Sequence, residues 1–188
     1  MKRLLAAVLL PLAIQVSGCI SLSERQAEAV APQPTKPVDG VRFFTGRWYE
    51  IARTPMKVTD GCVAGTTDYF KAPDGQMIDK DACRMGSPTG KEKSFSGPIT
   101  LLNDENNKMR VDYKAFGLFT APRTYWILDH DETYGWFIVS NRNFDQVSVF
   151  SRNARPSPSE IAMLNAKTKA LGYDVSKLEY PARFQMGQ

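Results

Sequence analysis

Histidine is nearly absent from this chain, which carries a single one, His130, in 188 residues. Only three cysteines accompany it, so no His/Cys set has the spacing of a zinc site, and no metal or cofactor is expected. A glycine-rich phosphate loop and a Gly-x-Ser-x-Gly nucleophile turn are also missing, which removes the usual sequence signs of phosphoryl or acyl transfer. His130 stands between Asp129 and Asp131 at the end of a predicted strand, where a solvated turn histidine is expected rather than a general base. The chain therefore reads as a binding protein and not as an enzyme. An excess of one charge is lacking too: 24 Lys and Arg stand against 20 Asp and Glu. No basic stripe is interleaved with aromatics, so no nucleic-acid partner is expected.

Long apolar runs are equally scarce. Leu4–Ile14 is apolar but broken by Pro11, preceded by Lys2 and Arg3, and too short to cross a bilayer as a permanent helix. Positive residues, this run, and then Val16-Ser17-Gly18-Cys19 resemble a bacterial lipoprotein signal, in which the cysteine sulfur receives a diacylglycerol and becomes the new N-terminus. Residues 1–18 are then a signal peptide and Cys19 the lipidation site. Ile20 stands where an Asp would resemble the inner-membrane retention signal, which points to the outer membrane, on its periplasmic face. Removing Lys2 and Arg3 from the 24 basic residues leaves 22 against 20 acidic ones, a nearly neutral mature chain. Residues 21–40 are polar and carry Pro32, Pro34 and Pro37, so 19–40 reads as a lipidated cysteine and flexible tether. At up to roughly 3 Å per residue it could hold a domain clear of the membrane.

From residue 46 the chain alternates short β-rich runs with turn signals, and no helical period appears before residue 158. Candidate strands are 46–54, 62–71, 76–84, 92–102, 108–116, 123–130, 135–141 and 146–152. The breaks are Pro73-Asp74-Gly75, Pro88-Thr89-Gly90, Asn103–Asn107, Pro122, Tyr134-Gly135 and Asn141–Asn143. Eight sequential strands with short connections fit an all-β fold, an up-and-down antiparallel barrel that leaves no sheet edge; an open sandwich is the alternative. Ser157-Pro158-Ser159-Glu160 then supplies an N-cap, a proline at the first helical position and a Glu placed for a capping box. Ile161, Leu164, Thr168 and Leu171 share one face of the predicted helix, which must pack outside the barrel. Asp174–Tyr180 reads as a short extra strand.

Gly46-Arg47-Trp48-Tyr49-Glu50-Ile51-Ala52-Arg53 near the start, with Phe150-Ser151-Arg152 late in the chain just before a helix, resembles the lipocalins, in particular the bacterial outer-membrane members and their apolipoprotein D-like relatives. Tyr125–Asp131 followed by Tyr134–Val139 is similar to the paired strands of the family's second signature, with a shifted turn. The likeness runs from about Val41 to Tyr180, within a lipocalin domain taken as 41–182 and followed by a tail at 183–188. It implies that Trp48 and Arg152 close the base of the barrel by stacking, with Phe43 or Phe44 beside them.

Assigning Cys19 to lipid leaves Cys62 and Cys83. With a four-residue loop at Lys71–Asp74 the two face each other across one hairpin, and an oxidising periplasm favours a disulfide over two reduced thiols. Strict alternation puts Trp48, Glu50 and Ala52 on one face and Gln146, Ser148, Phe150 and Arg152 on one face of the last strand. Glu50 is expected either in a buried network with an arginine or against a ligand; Asp68 poses the same question. Matching the second hairpin to the family adds Thr67 and Tyr69 to the lining; Tyr125, Ile127, Phe137 and Val139 are further candidates, on strands that the helix makes apolar on both faces. Phe116, Leu118 and Phe119 are a candidate gate at the open end, or packing within their own loop. The likeness implies a hydrophobic small molecule, fatty acid or lysophospholipid, as ligand of a monomer or weak dimer at the membrane. The alternative is a filled barrel serving as an interaction module of the envelope.

Overall fold

In the computed structural model of this chain, residues 30–115 and 119–181 are described. Eight strands follow the punctuation of the sequence: β1 Gly46–Arg53, β2 Cys62–Lys71, β3 Met77–Met85, β4 Glu92–Leu101, β5 Lys108–Ala115, β6 Phe119–His130, β7 Trp136–Ser140 and β8 Val147–Ser151. Each pairs antiparallel with the next, and β8 returns to β1, so the sheet is a closed barrel. One boundary differs from the alternation pattern. β6 starts at Phe119 and runs through Pro122, which opposes Asp112. Residues 119–125 are paired by β5 and not by β7, and a segment laddered on one side tolerates a proline. Phe119 is 69 % exposed there, while Phe116 and Leu118 lie outside the described residues.

Apolar residues sort into an inner and an outer core. Inside the barrel lie Phe43, Trp48, Tyr69, Phe137 and Phe150. Outside it, Ile51, Ile138, Val147 and Val149 pack under Leu164 of helix α2, Pro158–Ala170 (a short helix α1, Gly40–Phe43, precedes β1). Ser157 caps α2 by accepting from the Glu160 amide. The Glu160 carboxylate turns away from a capping box and accepts from Ser151 Oγ and Asn153 Nδ2, tying the helix start to the end of β8. The expected last strand is instead a 3-10 turn at Val175–Lys177, because the Asp174 carboxylate captures the Ser176 amide and hydroxyl; a single bridge joins Glu179 to Arg53.

The tether expected to reach residue 40 is docked over its described part. Ala31 and Val38 are buried, their amides donating to Arg142 O and Glu105 O. Lys36 reaches Asp129 at 2.7 Å and the His130 carbonyl at 3.1 Å. His130 is correspondingly a buried residue, not a solvated turn residue: its ring stacks on Tyr134 and bridges the carbonyls of Asp131 and Pro37. The segment 19–29, including Cys19, lies outside the described residues.

Cys62 and Cys83 form a disulfide with Cα atoms 5.6 Å apart. The expected register was wrong by three. Lys71 opposes Met77 across a five-residue connection, and Cys83 opposes Gly65 rather than Cys62. An irregularity between Cys62 and Ala64 and the diagonal geometry of the hairpin bring the two sulfurs together all the same. Reducing this bond releases a 21-residue separation and is expected to lower unfolding free energy by about 2–4 kcal/mol. Urea unfolding with and without a thiol reductant measures it; coincident midpoints would contradict a structural role for the bond.

Candidate functional site

The closed end of the barrel is an aromatic floor. Trp48 is fully buried, and the half-buried Arg152 guanidinium carbon lies 3.6 Å from its ring centroid, a cation–π contact worth about 1 kcal/mol. Arg152 is held there by donating to Arg47 O at 2.8 Å. Phe137 meets Trp48 edge-on at 4.7 Å and stacks on Phe150 at 4.8 Å, while Phe43 and Phe44 close in on Tyr69. Ile127 shares this inner cluster, and Tyr125 packs against it.

Above the floor the wall is polar. Glu50 accepts from Arg53 at 2.6 Å and from Ser148 Oγ at 3.3 Å. Gly65 leaves the space for it, since a Cβ at that position would lie 2.3 Å from Glu50 Oε2. Arg53, itself buried, also binds Glu179 and the Cys62 carbonyl. Burial pushes the Glu50 carboxyl above its ordinary range although Arg53 pulls it down. Thr67 donates to Asp81, which also accepts from Tyr113 at 2.6 Å. Tyr113 lies 3.4 Å from Asp79 and 3.4 Å from the Tyr125 hydroxyl. Burial, reinforced by Asp81, pushes the Asp79 carboxyl well up, and burial likewise raises Asp81. The phenols of Tyr69, Tyr113 and Tyr125 are raised by the same desolvation and stay protonated.

Nine of the ten residues expected to line the interior, Val139 among them, are on its inner wall or in its inner core. Ala52 is not. The register against β8 shifts between Glu50 and Ala52, and an irregularity of this kind breaks alternation. Ala52 consequently joins Ile51 in the outer core beneath α2, whereas Arg53 turns to Glu50. Asp68 faces outward, in an ion pair with Arg47 at 2.8 Å. Sequence reasoning missed Asp79, Asp81 and Tyr113. Asp79 and Asp81 are two residues apart on one strand, the spacing that puts both on one face, but the assumed four-residue loop implied an odd shift of register. An odd shift exchanges the faces of a strand and would have turned both carboxyls to solvent.

At the open end, Pro55, Met56, Lys57, Val58, Arg123, Asp145 and Gln146 surround a depression of about 440 Å³. Among the described residues no group of three or more His, Cys, Asp or Glu is arranged to hold a metal ion.

A family model described as a lipocalin-like domain matches residues 38–183. Apolipoprotein D of Oryctolagus cuniculus is 28% identical over 186 residues, 93% of this chain and 94% of its own. Outer membrane lipoprotein Blc of Vibrio cholerae serotype O1 is 23% identical over 180 residues, covering 93% of this chain and 96% of that protein. Among solved structures, insecticyanin from the tobacco hornworm Manduca sexta superposes with a TM-score of 0.63 at 16% identity, over 84% of this chain and 88% of that one, a likeness of fold.

Unfolded aspartates ionise near pH 3.9. Between that pH and the raised folded values, the native state keeps a proton that the unfolded chain has released, so this pair makes stability fall as pH rises through the window. Asp79→Asn removes most of this penalty. Its stability gain over the wild type is expected to grow from pH 4 to pH 8, reaching about 1–3 kcal/mol, the usual range for a buried polar group without a partner. Urea unfolding of both proteins at the two pH values checks it; a gain independent of pH would contradict the buried ionisation.

Proposed function

The chain belongs to the lipocalin family, and we propose that it is a membrane-anchored carrier of a small hydrophobic ligand, held inside the barrel above the Trp48 floor. The observation that carries this reading is a gradient of exposure along the inner wall. Trp48, Tyr69, Ile127 and Phe137 at the floor are buried, whereas Glu50, Asp81, Tyr125 and Ser148 above them keep accessible surface although they face inward. Surface accessible from within is what a hollow calyx has and a filled barrel lacks.

The ligand class in this proposal is an acyl chain, as fatty acid or lysophospholipid. Each buried methylene gains roughly 0.8 kcal/mol, so ten of them give about 8 kcal/mol before ordering costs, enough for micromolar binding. The chain enters tail first, because the acidic wall disfavours a carboxylate or phosphate beneath the rim. Its headgroup then rests by Lys57 and Arg123 at the mouth. No residue is assigned a catalytic role. Cys19 is the proposed lipid anchor and the outer membrane the proposed address, with a monomer or weak dimer facing the periplasm; the name of the Vibrio relative, an outer membrane lipoprotein, supports this placement. Lipid storage or maintenance in the envelope is the role that fits such a carrier.

Titration with a fluorescent lysophospholipid analogue, read also by quenching of tryptophan, tests the proposal. The wild type is expected to bind with micromolar affinity. Ser148→Phe, which places a ring on the accessible part of the wall, is expected to weaken binding at least tenfold with an unchanged far-ultraviolet spectrum. Equal affinities for the two proteins would contradict an interior site.

A further inference from the structure

Alternation within β3 turns Asp79 and Asp81 to the inside, opposite Tyr69 and Thr67 of β2. On β4, Gly97 opposes Asp79, and a Cβ there would lie 2.3 Å from the Asp112 carbonyl of β5. The two backbones approach so closely at this bare position that Tyr113 reaches across β4 to both carboxyls. Asp81 is satisfied on both oxygens, by Thr67 and Tyr113. Asp79 is different. It is 2 % exposed, and its Oδ1 has no hydrogen-bond partner among the described residues.

Among the described residues no ion pair reaches Asp79 or Asp81, and Arg123 stands at the mouth of the barrel. Arg53 is bound to Glu50, Glu179 and the Cys62 carbonyl, and Arg152 to the Trp48 face and the Arg47 carbonyl. Two neighbouring carboxyls that hydrogen-bond each other, one with an orphaned acceptor, thus have no ion-pair partner among the described residues. Tyr69, Tyr113 and Tyr125 surround them, offering ring faces and hydroxyl oxygens but no positive charge. A group that matches this wall must be a cation small enough to sit between the carboxyls, rich in N–H donors, and able to rest against aromatic rings. An ammonium, with three donors and a compact charge, meets all of these demands.

We propose that Asp79 and Asp81 form a subsite for the protonated amine of an apolar ligand, inserted nitrogen first, with its hydrocarbon body in the space bordered by Glu50, Tyr125 and Ser148. The proposal rests on the carrier reading, because it needs an accessible interior. It adds a ligand chemistry that an acyl-chain site does not require. Binding is non-covalent: the ammonium donates to Asp79 Oδ1 and to Asp81, and Tyr113 stays as donor to the pair.

Three ligands of equal chain length separate the possibilities: dodecylamine, dodecanol and laurate, each titrated into the delipidated full-length protein at pH 7.5 with tryptophan fluorescence as readout. Dodecylamine is expected to bind at least tenfold more tightly than dodecanol, and laurate, which enters tail first and leaves its carboxylate by Lys57 and Arg123, no more weakly than dodecanol. Asp79→Asn and Asp81→Asn preserve side-chain shape. Each is expected to bring dodecylamine to the affinity of dodecanol, and Asp79→Asn, at a position only 2 % exposed, leaves dodecanol within twofold of its wild-type value, which also reports that the variant is folded. Wild-type protein that binds amine and alcohol equally, or either variant that keeps the preference, overturns the subsite but not the carrier. Failure of all three ligands to bind overturns the carrier reading and the subsite with it. Competition distinguishes the source of the ammonium. Stronger displacement of dodecylamine by lysophosphatidylethanolamine than by lysophosphatidylglycerol identifies a lipid headgroup, and equal displacement a free amine.

Discussion

The return of β8 onto β1, sealed where Arg152 lies on Trp48, is the constraint from which the rest of the structure follows. A sheet of eight strands left open would present two unpaired edges and one continuous face. Closure replaces these with an inside and an outside. The guanidinium fixes which end of the inside is shut, because it covers an indole that β1 delivers at the level of Phe137 and Phe43. With the floor sealed by packed rings, accessible surface on the inner wall can only be reached from the other end, where β6 projects beyond β7 and the loop after β1 meets Arg123.

Part of what stabilises the barrel lies outside its interior. The outer core under α2, the disulfide and the docked segment 30–39 all add contacts that do not depend on what fills the interior. The inner wall works against stability: Glu50, Asp79 and Asp81 are carboxyls taken out of water, and Trp48 Nε1 and Asp79 Oδ1 have no partners among the described residues. A chain selected for stability alone would place apolar side chains at these positions. Polar groups kept in a buried wall at a cost in folding free energy are a common mark of a binding surface.

Strand order and boundaries were legible because each strand carries its own alternation and each turn its own Gly, Pro or Asn. The Trp48–Arg152 pair was legible because both residues sit inside motifs that resemble those of a known family. Register was not. It depends on how many residues the Ala72–Gln76 connection consumes, and Pro73-Asp74-Gly75 permits loops of more than one length. The same uncertainty hid the inward Asp79 and Asp81. Ala52 was misplaced because nothing in Glu50-Ile51-Ala52 announces the irregularity that β8 imposes on β1. The segment 30–39 is polar enough to pass for a tether, and it docks through backbone amides and a few long-range contacts, Lys36 among them, that local composition does not reveal.

A ligand inside the barrel requires space above the Trp48 floor. Anomalous diffraction from crystals grown with 12-bromododecanol measures it directly, since the bromine marks where the far end of a neutral chain comes to rest. One bromine peak inside the barrel, above Trp48 and bounded by Tyr125 and Ser148, is the predicted result. Bromine found only on the outer surface, with the inner side chains packed against one another, would contradict a ligand-bearing interior.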